Sequence, residues 1–295
     1  MNFRLLCIRL LAGSGIGLLV WPAPARANGE ALLLARHAVM AERLRPNPFG
    51  RPVVLDSLET AERIQGQIHA VVNQPFSAVS AGLNSAANWC EVMSLHINTK
   101  YCRAVATPAG TKLNVNIGKK TAEELRDAPR IEFSYTTVAA TPRYLNVRLA
   151  ADSGPLGTRD YRIEFEAAPL GASQTFIRLG YSYGVNLAAR LAMTTYLATG
   201  GRGKLGFTPI HTAEGGPPEY IGGLRGLMER NTMRYYLAIE SFLDAASAAP
   251  SAQLEQRLQS WFTAVERYPR QLHEMDRSAY VVMKREEHLR QQTAD

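Results

Sequence analysis

Three cysteines in 295 residues are too few to hold a chain together by a disulfide framework. Nor is there a long membrane-spanning stretch: no segment after the N-terminal region reaches about 18 consecutive apolar residues. The mean hydropathy of −0.15 likewise excludes a multi-span membrane protein. Charge of either sign is sparse, with 20% charged against 46% hydrophobic residues, a balance that excludes a disordered chain. Lys+Arg exceed Asp+Glu by 33 − 26 = 7, but no basic run is interleaved with aromatics, so nucleic acid is not an expected partner. Internal repeats and low-complexity segments are missing as well.

Catalytic signatures are also lacking. There is no G-x-S-x-G elbow and no H-E-x-x-H, since His273-Glu274 is followed by Arg277 where a second histidine would be needed. The six histidines are scattered; a triad assembled in space is neither supported nor excluded. Gly201-Arg202-Gly203-Lys204-Leu205-Gly206 has the outline of a dinucleotide fingerprint, yet it follows a helical pattern and runs into Phe207-Thr208-Pro209. Ile117-Gly118-Lys119-Lys120-Thr121 has part of a phosphate loop, without its first glycine and with Lys120 in place of the hydroxyl residue. No cofactor and no metal centre are implied.

What is present begins at the N-terminus. Arg4 and Arg9 precede an apolar run from Leu10 to Trp21, followed by Pro22, Pro24 and Ala25-Arg26-Ala27. A basic start, a short apolar core and small residues at −3 and −1 are what signal peptidase reads. Cleavage is expected after Ala27, giving a periplasmic or secreted protein and removing Cys7. Cys90 and Cys102 then form an isolated pair, and a structural disulfide is the expectation in an oxidising compartment. A zinc pair is the alternative, but apart from His96 no further ligand presents itself.

Ala31 to Leu44 reads as a helix, closed by Arg45-Pro46-Asn47-Pro48. Ile64 to Val72 alternates as a strand, and Pro75–Leu83 and Ala86–Leu95 read as two short helices. Five alternating segments follow, Lys112–Ile117, Ile131–Tyr135, Tyr144–Leu149, Tyr161–Glu166 and Thr175–Tyr183. Period-2 alternation with one polar face predicts an antiparallel sheet wet on one side. The remainder is helical: Asn186–Ala198, Gly222–Ala246, Ser251–Tyr268 and Gln271–Gln292. Along the longest of these helices, Leu224, Leu227, Met228, Asn231, Tyr235, Ala238, Ile239 and Phe242 share a face; Glu229, Arg230 and Arg234 lie off it. Asn231 in mid-stripe either bonds the protein or reads a ligand. The division is a signal segment 1–27, a helix and linker 28–56, a domain 57–246 and a helical extension 247–295. The fold class is α+β.

This order of strand, helix pair, antiparallel strands and long helix resembles the helix-grip fold of the START-like, or polyketide-cyclase-like, superfamily. Ile64–Val72 with the following Asn73-Gln74-Pro75-Phe76 resembles its first strand and the start of the helix pair, and Gly222-Gly223-Leu224-Arg225-Gly226-Leu227 the opening of its last helix. The segment 186–220 and the helices after 251 depart from that pattern. The resemblance implies a sheet wrapped around the long helix, with extra helices, and a cavity between them for a lipid, sterol or polyketide. Tyr135, Tyr161, Tyr181, Met228, Asn231 and Tyr235 are the expected ligand-binding residues, and Tyr183 shares the same sheet face. The partner would be a hydrophobic small molecule or lipid, with transient membrane contact. The expected role is a periplasmic binding or carrier protein. The alternatives are a cyclase or hydrolase using the same cavity, or an envelope assembly factor. The weakly charged helix 186–197 is a candidate lid, with Leu187, Leu191, Thr194 and Thr195 on one side and Gly200, Gly201, Gly203 and Gly206 as a hinge, against the plainer reading of a core helix.

Overall fold

The computed structural model describes residues 27–45, 47–198, 203–211, 216 and 218–293. The signal segment before Ala27, and Cys7 with it, lies outside the described residues. The chain runs α1 (Ala27–Leu44), β1 (Val53–Glu59), β2 (Arg63–Val72), α2 (Phe76–Leu83), α3 (Ala86–Leu95), β3 (Thr99–Thr107) and β4 (Gly110–Ile117). There follow β5 (Arg130–Thr141), β6 (Tyr144–Ser153), β7 (Thr158–Pro169), β8 (Thr175–Val185) and α4 (Leu187–Ala198). A small ribbon, β9 (Pro209–His211) with β10 (Glu219–Tyr220), leads to α5 (Gly223–Asp244), α6 (Pro250–Val265), α7 (Pro269–Leu272) and α8 (Arg277–Thr293).

Eight strands form one antiparallel sheet in the order β1-β2-β8-β7-β6-β5-β4-β3. The segment from β3 to β8 is a meander whose last strand returns to β2, and α2, α3 and α5 cover its inner face, the helix-grip arrangement. Helix α5 approaches β2 closely at Gly66. A Cβ there would collide with Thr232 Oγ1 and stand 3.1 Å from Met228 Cγ, so only glycine lets the helix sit so low. Cys90 on α3 and Cys102 on β3 are joined as a buried disulfide, Cα to Cα 5.1 Å, stapling the second short helix to the sheet edge.

Two strands escaped the alternation. In β1, Val53, Val54 and Leu55 are all buried, because Val53 and Leu55 enter the main core while Val54 meets α1 on the other face. A strand covered on both faces shows a continuous apolar run. The boundary drawn at residue 57 therefore falls inside β1. In β3 the pattern is broken by Lys100, which is fully buried against Glu287 of α8. The outer sheet face is only partly wet. An ion-pair ladder of Arg148, Glu164, Arg178 and Glu166 occupies one part, and α1 caps another with Leu33 packed near Phe176.

The helices after residue 247 join the main core through Leu258, Trp261 and Tyr280. They cover the side of α5 that faces away from the sheet and bury Arg234, while β1 and the loop at 205–208 take up Glu229 and Arg230, so all three are buried although they stand off the apolar stripe. The last helix starts at Arg277 rather than Gln271, because Pro269–Leu272 forms its own short turn.

Candidate functional site

The sheet side of α5 carries a run of stacked rings. His96, at the C-cap of α3, stacks on Tyr235 with centroids 4.6 Å apart. Tyr235 meets Tyr181 edge-on at 5.5 Å, Tyr181 lies 5.7 Å from Tyr183, and Tyr183 stacks on Tyr161 at 5.2 Å. Alternation on β7 and β8 places Tyr161, Tyr181 and Tyr183 inward, and α5 supplies Tyr235 from above. All four tyrosines are buried.

Their hydroxyls differ in partnership. Tyr161 shares a 2.7 Å hydrogen bond with Thr158 Oγ1. Among the described residues, no hydrogen bond reaches the hydroxyls of Tyr181, Tyr183 or Tyr235, which are 8%, 3% and 7% exposed. Burial raises the pKa of each well above the ordinary tyrosine value, so all three stay neutral.

The expected site is thus assembled in part. Tyr161, Tyr181 and Tyr235 come together. Tyr135 is half-buried on the same sheet face, but its hydroxyl pairs at 3.3 Å with Thr137 Oγ1, which donates to Asn84 at the end of α2. Met228 is spent on the helix–sheet contact at Gly66. Asn231 is half-buried, with Arg234 Nη1 3.5 Å from its Oδ1 and the His96 ring beside it. Tyr183 completes the cluster.

At the His96 end, charged residues gather that the sequence showed only as fragments. Glu274, between α7 and α8, accepts from Lys120 at 2.5 Å, Lys204 at 2.8 Å and Arg234 at 2.7 Å. Burial alone would raise the Glu274 pKa; the Arg234 charge and the two lysine bonds outweigh it and hold it at about 2. Lys120 and Lys204 belong to the two glycine-containing segments that resemble phosphate loops only in outline. Behind His96, Lys284 donates to the backbone carbonyls of His96 and Thr99 at 2.8 and 2.7 Å and pairs with Glu287 at 2.8 Å.

A separate groove of about 510 Å³ lies at the free edge of β1, lined by Phe49, Phe207, Tyr268 and the prolines Pro48, Pro209 and Pro269. Several of its polar groups are already engaged. Asn47 donates to the Val53 carbonyl, Arg43 pairs with Asp56, and Tyr268 donates to the Phe49 carbonyl.

The candidate lid α4 is neither a core helix nor a simple cover. Ala189 is buried, while Leu187 and Leu191 are 83% and 67% exposed, so the side named from sequence faces water. Arg190 ties the helix to Glu59 and to the carbonyls of Thr60 and Ala61. Gly206 is packed closely against α5: a Cβ there would stand 2.5 Å from Glu229 Oε2 and 2.9 Å from the Gly226 Cα. Gly200 and Gly201 lie outside the described residues. No helix among the described residues is long and apolar enough to cross a membrane.

No family model matches the chain, and no curated protein matches it. Among solved structures it is similar to the ZhuI aromatase/cyclase from Streptomyces sp. R1128, at 13% identity and a TM-score of 0.32 over 42% of this chain and 70% of that one. It is similar to a START superfamily protein from Mycobacterium smegmatis, at 12% identity and a TM-score of 0.31 over 43% of this chain and 79% of that one. Norcoclaurine synthase from Thalictrum flavum, in complex with dopamine and hydroxybenzaldehyde, is 14% identical with a TM-score of 0.33 over 50% of this chain and 80% of that one. At scores this low, the fold statement rests on the strand order and the placement of α5 described above.

Proposed function

We propose that the protein binds a small, largely apolar molecule between the sheet and α5, against the tyrosine cluster, and acts as an exported carrier or binding protein. One observation carries this reading. The rings of Tyr181, Tyr183 and Tyr235 belong to residues more than nine-tenths buried, and among the described residues no hydrogen bond reaches their hydroxyls. Buried polar groups are nearly always hydrogen-bonded, and leaving one unmade costs about 1–3 kcal/mol. Three together on one wall suit a molecule that presents apolar surface to the rings and a few polar atoms to the hydroxyls. The groove at β1 is the weaker candidate, since Asn47, Arg43 and Tyr268 there already have protein partners.

Export is supported by the N-terminal signal pattern and fits the Cys90–Cys102 bond. The test is native mass spectrometry of protein purified from the cells that make it. A bound small molecule is expected in the unmodified protein and should be lost in Tyr181→Trp, which fills the space beside Tyr235. No bound mass in the unmodified protein, or one retained in a folded Tyr181→Trp variant, would remove the site.

A further inference from the structure

Among the described residues, Glu274 is the one carboxylate paired with three cations, each from a different segment. One negative charge does not balance Lys120, Lys204 and Arg234. The surplus is held partly out of water: the Arg234 side chain is 1% exposed, Lys120 28% and Lys204 33%. Arg234 spends Nη2 on Glu274 and the Leu272 carbonyl while its buried Nε has no hydrogen-bond partner, and each lysine ammonium has three donors and uses one on Glu274.

A second observation lies beside them. His96 is 3% exposed. Its Nδ1 accepts the Asn98 backbone N–H at 3.2 Å, so the proton of the neutral ring sits on Nε2. That Nε2 is buried, no hydrogen bond of ordinary geometry reaches it, and the polar side chain beside the ring is Asn231. Burial, then the charges of Arg234, Lys284 and Lys120, keep the ring neutral. The same ring stacks on Tyr235, with Lys120 close enough to act on its charge and Lys204 joined to Lys120 through Glu274, so the ring N–H and two partly unused ammonium groups lie towards one end of the tyrosine cluster.

We infer that this end takes the carboxylate head of the bound molecule: the ligand is an amphipathic organic acid whose apolar body lies on the tyrosines and whose carboxylate meets Lys120, Lys204 and His96 Nε2–H. The inference rests on the tyrosine-cluster reading above. Glu274 shows that the lysines already converge on a group of this shape. Donors outnumber acceptors there, and an added acceptor with negative charge forms charge-assisted bonds. A neutral ligand would leave the surplus charge and the Nε2–H as they are.

The experiment uses two probes of nearly equal shape, 2-naphthoate and the uncharged 2-naphthalenemethanol, titrated into the purified protein and into a Lys120→Gln/Lys204→Gln variant. The unmodified protein should bind naphthoate at least about tenfold more tightly than the alcohol. In the variant that preference should fall to about twofold or less while the alcohol binds as before. The ¹⁵N resonance of His96 Nε2 should move with naphthoate and stay put with the alcohol. Equal binding of both probes, or a preference that survives in the variant, overturns the carboxylate site and leaves the tyrosine-cluster reading standing. Binding of neither probe overturns both.

Discussion

The two sides of α5 are buried to the same degree by opposite means. Towards the sheet the helix presents Met228, Tyr235 and Ile239 to apolar neighbours. On its flank by β1 and on the side away from the sheet it presents Glu229, Arg230 and Arg234, each at most 1% exposed. Glu229 accepts from Ser57 Oγ at 2.6 Å, from the backbone N–H groups of Phe207 and Thr208 at 2.5 and 2.9 Å, and from Thr208 Oγ1 at 2.6 Å. Arg230 donates to the Leu205 carbonyl at 3.1 Å, and Arg234 holds Glu274. The comparison teaches a division of labour. The sheet side is an apolar wall of rings and aliphatic side chains. The other, far side is a charged, hydrogen-bonded network that fixes the loop bearing Lys204 and the turn bearing Glu274.

The largest effect should come from breaking the far side. Glu229→Ala strands two backbone N–H groups and two hydroxyls, and is expected to cost about 3–5 kcal/mol in chemical denaturation; a cost below about 1 kcal/mol would show that the network is not rigid. Next is the covalent staple. Replacing Cys90 and Cys102 by serine should cost about 3 kcal/mol for a loop with a sequence separation of 12, read in the same denaturation experiment. No change in midpoint would remove the staple from the account.

Acid should act on the far side too. The Glu274 pKa is about 2 in the fold against an ordinary 4.5, so the stability it contributes is present above about pH 4.5 and is lost as pH falls towards 2. The loss should amount to about 2–3 kcal/mol and be reduced in Glu274→Gln, compared by denaturation at pH 6 and pH 3. Equal acid sensitivity in both proteins would contradict the assignment. The smallest effect is expected on the sheet side: Tyr181→Phe and Tyr235→Phe remove hydroxyls without partners and should change stability by less than about 0.5 kcal/mol. A cost of about 2 kcal/mol in either would mean that the hydroxyl is already bonded within the protein.

The same division explains what was legible in the sequence. Strands β4 to β8 showed themselves because one face is dry and the other carries side chains such as Arg148, Glu164 and Arg178. Helices α2, α3 and α5 were marked by their stops and stripes, and the ring-bearing residues Tyr161, Tyr181 and Tyr235 followed from the sheet face and the stripe. The far side left no such trace. Arg234 and Glu274 are 40 positions apart, and Glu229 and Ser57 172, so neither pairing has a local spacing. Strand β3 was not legible because Lys100 interrupts its alternation, and the partner that explains its burial, Glu287, lies 187 positions on. His96 was visible only as a spare zinc ligand, and its place against Tyr235 depends on α8 fixing the turn behind it through Lys284.

The central claim is that the tyrosine cluster under α5 is a binding wall. A crystal structure of the protein purified from its own cells, without added ligand, tests it most directly. The account predicts electron density for a small organic molecule within hydrogen-bond distance of the hydroxyls of Tyr181, Tyr183 or Tyr235. Hydroxyls bonded to one another or to neighbouring side chains, with the rings closed over the space and nothing between sheet and helix, would contradict it.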